Sequence, residues 1–79
     1  MNITLSIIQF CLYTFHIPLV EEDQYVAHEI KEYTFDYRET IYRLIHKSEY
    51  KSIDFGNKTY DIFLDKENKN FYYIIYTNK

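Results

Sequence analysis

Residues 71–76 read Phe-Tyr-Tyr-Ile-Ile-Tyr, and this run constrains the fold more than any other part of the chain. A β-strand sends successive side chains to opposite faces, so a strand here carries apolar or aromatic groups on both. Both faces then need cover, in a chain of only 79 residues. A chain of that length makes one domain and buries only about 60–65% of the surface it exposes when unfolded. Ten Tyr and six Phe supply much of the apolar area. Each Tyr hydroxyl also needs water or a partner, so some of the ten are expected at a rim or an interface.

The last thirty residues have the period of strands. Ser52-Ile53-Asp54-Phe55 and the run from Lys58 to Leu64 flank Gly56-Asn57. Gly at the first loop position suits a type II′ hairpin turn. A two-residue loop puts Ile53, Phe55, Tyr60 and Ile62 on one face, and Ser52, Asp54, Thr59 and Asp61 on the other. A charged loop over 65–70 follows, and the aromatic run supplies a third strand. The expected sheet is a three-stranded antiparallel meander over 51–55, 58–64 and 71–77. Its last strand lies at an edge unless the amino-terminal segment pairs with it, and apolar edges recruit other strands. Phe63, Tyr72, Tyr73 and Tyr76 thereby become the candidate apolar docking patch.

The first half is read as helical. Residues 3–15 fit either helix or strand: Ile3, Thr4, Ile7, Ile8 and Phe10 favour a strand. Asn2, Ser6, Gln9, Tyr13 and His16 instead draw one polar helical stripe, and helix is preferred. Pro18 ends the element. Val26, Ile30, Tyr33, Tyr37, Ile41 and Leu44 then step by fours and threes, which predicts a helix over 20–33. A second helix over 37–47 opens at Asp36 with Glu39 three residues on. Two or three helices packed on a meander make an α+β domain spanning 1–79.

The net charge of −3 is unevenly spread, with −5 over residues 1–36 and +2 over residues 37–79. Glu21, Glu22, Asp23, Glu29 and Glu32, spaced along a helical rod, would imitate phosphates and steer the chain to a basic surface. Arg38, Arg43, Lys47 and Lys51, interleaved with Tyr42 and Tyr50, form a faint nucleic-acid stripe. Ordinary pairing, such as Glu39 with Arg43, accounts for it more simply, and the acidic balance argues against direct nucleic-acid binding.

Chemical machinery is sparse. His28 and Glu32 stand one helical turn apart, but no spacing supplies further metal ligands. The single cysteine, Cys11, excludes an intramolecular disulfide, points to a reducing compartment and sits in an apolar run. One glycine cannot build a phosphate-cradling loop. Residues 1–20 lack a basic n-region and a cleavage site, and are too polar and short for a membrane span. The expectation is a cytoplasmic protein-binding module without enzyme activity, cofactor or metal, acting by occlusion. In size, acidity and lack of catalytic motifs the chain is like small phage and viral inhibitors of host defence enzymes, a likeness of composition alone. A homodimer joined through the terminal strand and a nucleic-acid binder are the alternatives.

Overall fold

A computed structural model describes residues 6–31, 33 and 35–77. Helix α1 spans Ile7–Thr14, a 3-10 helix spans Leu19–Gln24, and strand β1 spans Val26–Glu29. Helix α2 spans Tyr37–Lys47, followed by β2 (Glu49–Phe55), β3 (Lys58–Asp65) and β4 (Asn70–Thr77). The four strands form one sheet in the order β1-β4-β3-β2.

This overturns the three-stranded antiparallel meander. β2–β3 and β3–β4 are antiparallel hairpin partners, but β1 lies parallel to β4, with Val26 beside Asn70 and Glu29 beside Tyr73. The sheet is mixed, and the aromatic strand is internal. The helix expected over 20–33 is a short 3-10 helix followed by a strand. Val26 and Ile30 explain the misreading, because a spacing of four keeps two residues on one face in a helix and in a strand alike. Only the residues between them separate the two periods.

Local chemistry sets the element ends. α1 opens on a capping box in which Ser6 Oγ accepts from Gln9 N–H and Gln9 Oε1 accepts from Ser6 N–H, both at 3.2 Å. It closes with Ile17 N–H donating to Leu12 O at 2.9 Å and His16 N–H donating to Tyr13 O at 3.1 Å. His16 sits at φ 58°, so this is a Schellman ending with histidine where glycine is commoner. Pro18 then stands as the residue before the 3-10 helix. In the β2–β3 turn Gly56 has φ 65° while Asn57 does not enter the left-handed region, the signature of a type II′ turn.

Helices cover the sheet from both sides. On one face Cys11 and Leu12 of α1 pack over Ile62, Leu64 and Phe71, with Tyr73, Tyr60 and Ala27 around them. On the other, Leu44 of α2 packs over Ile30, Phe63 and Ile74, with Tyr37, Ile41 and Tyr72 alongside. The two faces of β4 therefore rest on different helices, while β3 takes one backbone edge along its length and β1 takes the other over Asn70–Tyr73. A strand enclosed in this way reads as a continuous apolar run, and residues 71–76 do.

Candidate binding groove

α2 leaves part of the sheet face beside it open, a groove of about 480 Å³ lined from β2, β3 and β4. Tyr37, Ile41 and Ile45 form its helical wall, Phe63 and Ile74 its floor, and Tyr50, Tyr76 and Asp61 its sheet side. The alternation of strands puts these last three on one face: Tyr50 stands opposite Phe63, Ser52 opposite Asp61, and Asp61 opposite Ile74. Ile45 is 60% exposed, Tyr50 53% and Tyr76 37%.

The polar part of the groove is ordered. The Tyr50 hydroxyl donates to Asp61 Oδ1 at 3.0 Å, and the Tyr50 ring lies 5.1 Å from that of Phe63. Burial of its phenol, with the Asp61 carboxylate beside it, pushes Tyr50 above the usual tyrosine range, and the Ser52 hydroxyl opposes the shift. Further along the same face, Thr59 Oγ1 donates to Asp54 Oδ1 at 2.7 Å. Asp61 is the one charged side chain among the described residues lining the groove.

The residues predicted from sequence do not form the expected patch. Phe63 is 4% exposed and belongs to the core under α2. Tyr72 also lies on the α2 face, stacked on the exposed His28 ring at 5.1 Å. Tyr73 lies on the opposite face with the α1 cluster, where burial and the nearby Glu29 charge push its phenol up. Of the four, Tyr76 alone enters the groove as an exposed side chain. Sequence reasoning missed Tyr37, Ile41, Ile45 and Tyr50. A signal was present: Tyr37, Ile41, Leu44 and Ile45 make an apolar stripe facing a sheet surface that carries Ser52, Asp54, Thr59 and Asp61.

The acidic rod is also absent. Glu21, Glu22 and Asp23 lie on the 3-10 helix, Glu29 is exposed on β1, and Glu32 lies outside the described residues. Arg38, Arg43 and Lys47 do share the outer side of α2 with Tyr42 and His46, but Glu39 sits among them. Lys51 is on the α1 side of the sheet, where its Nζ donates to Thr14 O at 3.0 Å. Cys11 is fully buried, and desolvation pushes its thiol up to about 12. His28 Nε2 lies 3.3 Å from Asn70 Oδ1, and no group of three potential metal ligands occurs among the described residues. No helix among them is long and apolar enough to cross a membrane.

Fold and groove together define a helix–sheet–helix module with an aromatic recess that its own helix leaves uncovered. Compared with family models, curated proteins and solved structures, the chain matches none.

Proposed function

We propose that the chain is a protein-binding module that acts by occlusion, docking its partner in the groove between α2 and the open sheet face. The observation that carries this is the exposure of Ile45, Tyr50 and Tyr76 around one concavity, beside a core that has enclosed the rest of the aromatic strand. Rigid aromatic side chains around a recess are what anchor residues of a partner pack into. Asp61 at the groove and Asp54 beside it favour a partner with a basic surface, as nucleic-acid-handling and defence proteins of a host have. The buried, unpaired Cys11 is compatible with action in a reducing cytoplasm.

The alternatives lose part of their sequence support. Pairing of two copies through β4 is confined to the stretch beyond Tyr73, because β3 lines one edge and β1 the first half of the other. The basic stripe is reduced to Arg38, Arg43 and Lys47, and it shares its side of α2 with Glu39. The test is co-purification from source cells with tagged wild type, Ile45→Asp, Tyr50→Ala and Tyr13→Ala. A partner held by wild type and Tyr13→Ala, and lost from both groove variants, is expected. Equal recovery by all four would end this reading.

A further inference from the structure

We infer that the groove receives an extended, lysine- or arginine-bearing segment of the partner, which adds to the outer edge of β2 and sets its cation on Asp61. This rests on the docking role proposed above and names the chemistry of the partner. β2 is an end strand of the sheet, so alternate N–H and C=O groups along it point away from β3. A row of such groups accepts an added strand, whose main chain supplies affinity and whose alternate side chains supply selectivity.

The side chains on the α2 face select the cation. Ser52 stands directly between the outer edge of β2 and Asp61. A side chain from an added strand must cross two strand spacings, about 9.6 Å, to reach the β3 position. Ser52 is small enough to let it pass, and the four-carbon lysine stem and the aspartate arm meet across it. Asp61 gives one oxygen to Tyr50 and has further lone pairs to offer. The Tyr50 and Tyr76 rings add attraction for a cation, and Ile45 offers apolar surface to its stem. Asp54, exposed on the same face of β2, adds a second negative charge along the path.

Other occupants fit worse. Two β2 strands paired antiparallel about Ser52 would set Asp54 of one copy opposite Tyr50 of the other, with Lys51 on the far face. That arrangement brings carboxylates to the groove and no cation. A nucleic-acid strand would meet the same two carboxylates.

The experiment is a titration followed by amide chemical shifts, with acetyl-Val-Lys-Val-Lys-Val-amide and its glutamate counterpart as probes, up to millimolar peptide. The lysine peptide is expected to shift Tyr50, Ser52, Asp61 and Tyr76, to weaken with added salt, and to bind Asp61→Asn at least tenfold less tightly. Asp61→Asn is first matched to wild type in its thermal melt, and Asp54→Asn gives a second, independent loss. A silent lysine peptide, equal binding of both peptides, shifts confined to Arg38, Glu39, Tyr42, Arg43, His46 and Lys47 on the outer side of α2, or dimerisation through β2 without peptide would each overturn the inference. A partner lost from the groove variants together with a silent lysine peptide would sink this inference and leave occlusion standing.

Discussion

Proline placed at two adjacent positions of β1 separates the parallel strand from the helix that periodicity suggests. Val26 N–H donates to Lys69 O at 3.2 Å, and Ile30 N–H donates to Tyr73 O at 2.8 Å. Backbone N–H groups alternate sides along a strand, so His28 also donates toward β4, while the N–H groups of Ala27 and Glu29 face outward. His28→Pro therefore deletes a ladder bond worth about 1 kcal/mol and strands a carbonyl of β4, at a further cost of about 1–3 kcal/mol. The sum is about 2–4 kcal/mol, taken from a total of about 4–12 kcal/mol for a domain of this size. At about 4–8 °C per kcal/mol, the melting temperature falls by about 8–30 °C. His28→Ala measures separately what the ring stacked on Tyr72 contributes. Glu29→Pro stays within about 1 kcal/mol of wild type, because edge strands tolerate proline where the N–H faces solvent. Urea denaturation of the four proteins supplies the numbers. In a helix over 20–33 both prolines would be interior and cost about 3 kcal/mol each. Equal effects at 28 and 29, large or small, would refute the pairing of β1 with β4.

Two further outcomes concern stability. Above the ordinary thiol value the unfolded chain loses the Cys11 proton that the folded chain keeps up to about pH 12. Stability therefore falls as pH rises, with a slope approaching about 1.4 kcal/mol per pH unit. Denaturation at pH 8 and pH 10 should show a larger drop for wild type than for Cys11→Ala, and identical drops would contradict the burial. Gly56→Ala should cost about 1–2 kcal/mol through its left-handed backbone alone, because an added Cβ meets nothing within 4 Å. Asn57→Ala is the reference, and equal melting temperatures for the two variants would remove the type II′ assignment.

Legibility followed the range of the interaction. The β2–β3 hairpin was readable because its turn, its alternation and its register lie within seventeen consecutive residues, Glu49–Asp65. α2 was readable from Tyr37, Ile41 and Leu44, whose spacing matches one buried face. The Ser6–Gln9 capping box, a Ser-x-x-Gln signal beside an apolar run, would have settled the first element as a helix. β1 was not readable. Only four residues long, it is stabilised by a partner strand far along the chain, and its spacing of four served both periods. The candidate site was less legible still, because a groove depends on how far α2 reaches across the sheet. Tyr73 illustrates this: its neighbour Tyr72 faces α2 while it faces α1, a separation fixed by strand alternation once the helices sit on opposite sides.

The parallel pairing of Val26 with Asn70 has a consequence for biosynthesis. During translation both helices and the hairpin emerge before the strand on which all of them converge. Until then each nascent segment holds an oily side with nothing against it, and chaperones have a window in which to engage them. A premature stop a few codons before Asn70 would not trim a tail. It would delete the spine of the molecule and release a fragment destined for proteolysis.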